Sequence, residues 1–218
     1  MRFRSIASHA SFLLWSVTLI GQTGIPVEQQ TSKTPMTIHQ LFAEDQQDLQ
    51  AGTDGKPRFT EEEYHQRVET REAMLRAMLA AGEIKTGDDF RDAAFIFQHG
   101  DSADDCMFAH ILAMEAMARG TESARFIAAA TLDRYLQAIK QPQVFGTQYS
   151  LDSSASQPAH VDATSMRPTR TLDPYNESFL PDSVKSDFCV PNLAQQKQNV
   201  AIFNAGGSPQ GTMHPPCH

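Results

Sequence analysis

The stretch Thr60-Glu-Glu-Glu-Tyr-His-Gln-Arg-Val-Glu-Thr-Arg-Glu-Ala-Met-Leu-Arg-Ala-Met-Leu-Ala-Ala-Gly82 decides the fold class. Thr60 and Glu63 have the spacing of a capping box, in which each side chain satisfies an amide left open at a helix start. The run then reaches Ala81 and stops at Gly82, which predicts one long helix. The flanking segments repeat this logic. Upstream, Ile38, Leu41, Phe42 and Leu49 recur at helical spacing from Thr37, and Gly52 to Pro57 break the pattern. Downstream, helices are predicted from about Asp88 to His99, about Ala103 to Arg119, and Thr121-Glu122 to about Lys140. Glycine at three successive stops, Gly82, Gly100 and Gly120, matches left-handed C-caps, which glycine adopts without steric penalty.

Beyond the fifth helix the pattern changes. Gln141-Pro-Gln-Val-Phe-Gly-Thr-Gln-Tyr149 holds a proline, a glycine and β-formers without helical period, so a loop or short strand is expected. Residues 151–170 are rich in Ser, Ala and Thr and read as an exposed insertion, with Thr171-Leu-Asp-Pro-Tyr175 as a returning strand. A last helical region spans about Asp182 to Asn204 with a break near Pro191, and Leu193, Val200, Ile202 and Phe203 are available to dock it on the bundle. The expected fold is mainly α: an antiparallel bundle of about five to six helices, with a small strand or loop element, a β-hairpin, after the fifth. The chain divides into a signal peptide at 1–21, a flexible spacer at 22–36, one helical domain at 37–204 and a disordered tail at 205–218.

With 218 residues, 40% hydrophobic and 20% charged, the chain suits one ordinary core. The net charge of −8 and the absence of any Lys/Arg cluster argue against nucleic-acid binding. Arg2 and Arg4 precede the apolar run from Ala10 to Ile20, and Gly21 follows. That is the layout of an export signal, and the run is about half of the ~20 residues a membrane span needs. The expectation is a mature chain without a membrane span, periplasmic or extracellular. Cys106, Cys189 and Cys217 leave one thiol over in an oxidising compartment, with Cys189–Cys217 the favoured pairing.

Ala43-Glu-Asp-Gln46, Phe97-Gln-His-Gly100, Asp133-Arg-Tyr-Leu136 and Pro142-Gln-Val-Phe-Gly-Thr-Gln148 together resemble a bacterial family known as a domain of unknown function. The resemblance covers roughly residues 38–204. It implies the helical fold and marks positions of interest, without an activity or ligand attached.

His99 ends a helix, where imidazole can act as acid, base or metal ligand, or can cap the helix's own last carbonyls. With Asp45 and Asp133 it makes the set of catalytic candidates; Gln46, Gln98, Arg134, Thr147 and Gln148 are binding candidates. Helix packing can bring these groups into a pocket for a small polar ligand, or into a buried network tying the loop to the bundle. Cys106 and His110, four apart on one helical face, can reach a metal only with a third ligand such as His99, or else are core residues. The tail Met213-His-Pro-Pro-Cys-His218 carries soft metal ligands. No phosphate loop, dinucleotide fingerprint, zinc-protease helix or nucleophile elbow is present, and no cofactor is expected. The functional expectation is a binding or interaction module of the cell envelope, taking an unknown protein or small polar ligand. The alternative is a hydrolytic or metal-assisted enzyme using His99.

Overall fold

A computed structural model describes residues 36–50, 58–151 and 169–209. The segments expected as a signal peptide and, up to residue 35, a spacer, the Gly52 to Pro57 break, most of the expected insertion, and the tail from 210 on lie outside the described residues.

Capping boxes start α2 (Glu61–Ala80), α3 (Gly87–Phe97), α4 (Ala103–Ala118) and α7 (Leu193–Asn204), as residue pairs Thr60/Glu63, Thr86/Asp89, Ser102/Asp105 and Asn192/Gln195. In each, the cap side chain accepts an amide N–H three residues on, and the partner side chain accepts the cap residue's own. Three further helices, α1 (Ile38–Gln50), α5 (Arg125–Ala138) and α6 (Asp182–Asp187), complete a mainly helical fold. A 3-10 turn over Glu122–Ala124 leads into α5. After the fifth helix come strands β1 (Ser150–Leu151) and β2 (Arg170–Thr171), paired antiparallel with Ser150 opposite Thr171.

Several details depart from the sequence expectation. The break expected near Pro191 does divide the last helical region, into α6 and α7, with Pro191 buried between them. The returning strand begins at Arg170 and ends at Thr171, and Tyr175 meets Gln143 only in an isolated parallel bridge. Gly82 and Gly120 do take left-handed backbones, with φ of 68° and 89°, but Gly100 does not. Gly100 is needed for space. A Cβ there would lie 2.4 Å from Glu72 Oε1 and 2.6 Å from Asp105 Cβ. Gly100→Ala is therefore expected to cost about 1–3 kcal/mol through overpacking, read as a lower thermal midpoint by circular dichroism.

Small residues hold the bundle close. Ala109, Ala113 and Ala116 on α4, Ala93 and Ala94 on α3, and Ala129 on α5 are all fully buried. α4 packs against both α3 and α5, and α1 lies on α3 with α2 beside it. Leu41, Leu75, Ile96, Phe97 and Ile127 fill the space between, each contributing about 1.5–3 kcal/mol by burial. The Phe97 and Phe108 rings meet edge-on at 4.9 Å. A second apolar cluster of Ala129, Phe145 and Val190, with Phe188 against it, fastens the segment after α5 to the α6–α7 region.

Candidate functional site

The polar residues sort into two clusters and a cleft. In the first cluster α1 presents Asp45 and Asp48 to Arg67 and Arg71 of α2. Asp48 accepts from Arg67 Nε (2.7 Å) and Nη2 (3.0 Å) and from Arg71 Nη1 (2.6 Å). Arg71 Nη2 lies 3.4 Å from Asp45 Oδ1, and Asp45 pairs at 3.2 Å with His99 Nδ1. Gln46 Nε2 donates to Asp45 Oδ2 at 3.1 Å. Burial acts to raise the Asp48 pKa, but hydrogen bonds from Arg67 and Arg71 outweigh it and hold the carboxyl below its usual range. Asp45 and Arg71 are only 1% and 3% exposed, and each meets its polar partners inside the fold, where removing one partner is costly. The candidates Asp45, Gln46 and His99 thus meet, and the His99 ring bonds α1 across the fold.

The second cluster gathers Asp133, Thr147 and Gln148. Asp133 accepts from the amides of Val144 (2.8 Å), Phe145 (3.0 Å) and Thr147 (2.9 Å) and from Thr147 Oγ1 (2.8 Å). Gln148 Nε2 donates to the Ala130 carbonyl and to Thr147 Oγ1. Burial pushes the Asp133 pKa up, with the loop hydrogen bonds opposing it. Two glutamines not singled out by sequence reasoning complete the network. Gln143 donates to the carbonyls of Gln148 and Leu172 and accepts from the Gln148 amide, and Gln196 of α7 donates to the carbonyls of Phe145 and Gly146. Gln196 also accepts from the Tyr175 hydroxyl at 2.9 Å. Gly146, at φ 77°, leaves room for it, since a Cβ there would lie 2.7 Å from Gln196 Nε2. Gln143 stood inside a quoted motif, whereas Gln196 meets partners 50 residues upstream and has no local signal. These polar groups serve one another, tying the loop to α5 and α7.

The remaining candidates stand apart. Gln98 is the half-buried C-cap of α3, and Arg134 is exposed on α5. His110 Nδ1 lies 2.9 Å from the Ala128 carbonyl, and Cys106 is a buried free thiol whose pKa burial raises. His99 pairs with Asp45 and does not join them; among the described residues no group of three or more His, Cys, Asp or Glu side chains is placed to hold a metal ion. Cys189 is disulfide-bonded, while Cys217 lies outside the described residues.

A cleft of about 410 Å³ opens between α1 and α2. Met36, Leu41, Phe59 and Met74 give it apolar walls, and Glu44, Glu63, Arg67 and Arg71 give it charge. The Arg67 guanidinium stacks over the Phe59 ring at 4.6 Å, and Arg71 keeps two buried nitrogens, Nε and Nη2, without a hydrogen-bond partner. This cleft was not anticipated. Glu44 on α1 and Arg67 and Arg71 on α2 carry no local sequence signal of a cleft, and Phe59 and Met36 stand outside the predicted helices.

Also on α2, beside Gly100 and Asp105, Glu72 has a buried, unpartnered Oε1 and a pKa raised to about 7, first by burial and then by the Asp105 carboxylate, against the opposing Arg76. The folded chain therefore keeps a proton that the unfolded chain releases from about pH 4.5, and stability is lost as pH rises through the window from there to about 7. Glu72→Gln is expected to be more stable than the wild type at about pH 8 and to show no such gain at about pH 4, measured by urea unfolding at both.

Comparison of the chain with protein-family models, curated proteins and solved structures found no match.

Proposed function

We propose that the protein is an exported binding module whose recognition site is the cleft between α1 and α2. The observation that carries this reading is the meeting of apolar walls with arginines already fixed in place by Asp48, the usual make-up of a ligand pocket. The Gly146-Thr147-Gln148 loop is a poorer candidate, because its polar groups are engaged with Asp133, Gln143 and Gln196. Export is supported by Arg2, Arg4 and the apolar run behind them, and by the disulfide at Cys189, which suits an oxidising compartment. No helix among the described residues is long and apolar enough to cross a membrane.

The test uses Nile red, a neutral dye that brightens in apolar pockets. Its fluorescence should rise with wild-type protein and with His99→Ala, and should not rise with Met74→Trp, which fills the cleft from a half-exposed position. Equal binding to Met74→Trp would contradict the reading.

A second reading, a hydrolase with His99 as base, draws on the 3.2 Å Asp45–His99 pair, which would fix the imidazole tautomer. It requires ester or amide turnover that His99→Ala abolishes. On the binding reading His99→Ala only unpairs one side of Asp45, at a cost of about 1–3 kcal/mol in stability, read from chemical denaturation.

A further inference from the structure

One oxygen of the Glu72 carboxyl is sealed beneath the turn that joins α3 to α4. Oε1 is buried without a hydrogen-bond partner, and Gly100 lies directly over it, since a Cβ there would stand 2.4 Å away. The groups facing this carboxyl are mostly acidic. On α2 they are Glu69 and Arg76, on the turn Asp101, and on α4 Asp105 and the Cys106 thiol. The nearby cationic groups are engaged with other partners. Arg76 Nη2 donates to Asp105 at 2.7 Å and comes only within 4.0 Å of Glu72 Oε2, while His65 pairs with Asp101 at 2.9 Å.

These surroundings suit a carboxylic acid better than a carboxylate. An ionised Glu72 would set a second negative charge beside Asp105, with no donor on Oε1 and that oxygen out of reach of solvent. Lifting the turn is what would hydrate it, because Gly100 is the cover. The turn is held by the His99 amide on the Ile96 carbonyl (3.2 Å), the Gly100 amide on the Phe97 carbonyl (3.1 Å) and the His99 ring on Asp45 (3.2 Å). Asp45 in turn neighbours Arg71, which lines the cleft, so the turn is joined through His99 to the cleft wall.

We propose that residues 98–102 form a proton-operated latch, closed over Glu72 while its carboxyl is protonated and opening more readily once that proton leaves, with His99 drawn off Asp45 as it opens. The Glu72 pKa of about 7 sets the working range. The closed turn keeps a proton that an open, hydrated carboxyl releases from about pH 4.5, so opening is promoted as pH rises from there to about 7 and levels off above.

The experiment is amide hydrogen exchange on the full chain at about pH 5 and about pH 8, each rate divided by that of an unstructured peptide at the same pH. Protection at His99 and Gly100 should be lower than at Leu112 inside α4 at both pH values, the mark of a local opening, and should fall by at least about tenfold between them. In Glu72→Gln, which cannot ionise, protection at the same two amides should stay within about twofold across the range. Wild-type protection at His99 and Gly100 that is unchanged by pH, or that equals that of Leu112, would overturn the latch. A fall that persists in Glu72→Gln would also overturn it, since the proton would then belong to another group such as His65 or His99.

Discussion

Replacing Asp133 by alanine is expected to cost about 3–5 kcal/mol and to release residues 143–148 from the bundle. One carboxylate accepts three backbone N–H groups and the Thr147 hydroxyl, and no water-facing route replaces it, because Asp133 is fully buried. Removing it leaves buried donors unmet and a void beneath Phe145, which itself anchors the second apolar cluster through Phe188. Denaturant unfolding measures the loss. Hydrogen exchange locates it: the amides of Val144, Phe145 and Thr147 should lose protection first, while those of α4 keep theirs. Asp133→Asn retains the volume and one acceptor oxygen, and should fall between wild type and Asp133→Ala.

The second large effect is at Arg71. Arg71→Leu keeps much of the volume but strips Asp45 and Asp48 of a shared cation, leaving two buried carboxylates, one on Arg67 alone and the other on His99 and Gln46. Breaking a buried pair from one side costs about 3–5 kcal/mol, much of it from the charge left behind. The double replacement Arg71→Leu with Asp48→Leu should therefore recover much of the loss, and a double-mutant cycle reads the coupling directly. Independent, additive losses would mean that Arg71 and Asp48 are not coupled.

Most of the helical frame was legible in the sequence because its signals are local. A cap and its partner stand three residues apart, as Thr60 and Glu63 do, and a stop such as Gly82 or Gly120 is set by its own φ. Where the expectation failed, a distant contact was responsible: Gly100 is required by Glu72 and Asp105, not by its own backbone angle. The candidate residues show the same division. Asp133 and Thr147 stand 14 residues apart across one turn of chain, and both were picked out. Asp45 and His99, 54 apart, were grouped as candidates, but their direct pairing depends on how α1 lies on α3. The cleft was invisible because nothing periodic marks the space between two helices, and because Arg67 and Arg71 look like any solvated face until Asp48 is placed opposite them.

The methionines supply the most direct test of the cleft as the recognition site. Met36 and Met74 line it, whereas Met114 is 53% exposed on α4. Carbon-13 methyl spectra should be recorded on the full chain, labelled at methionine, while Nile red is added. Saturable shifts are expected at Met36 and Met74, with Met114 unmoved. Shifts at Met114 with none at Met36 and Met74 would contradict it.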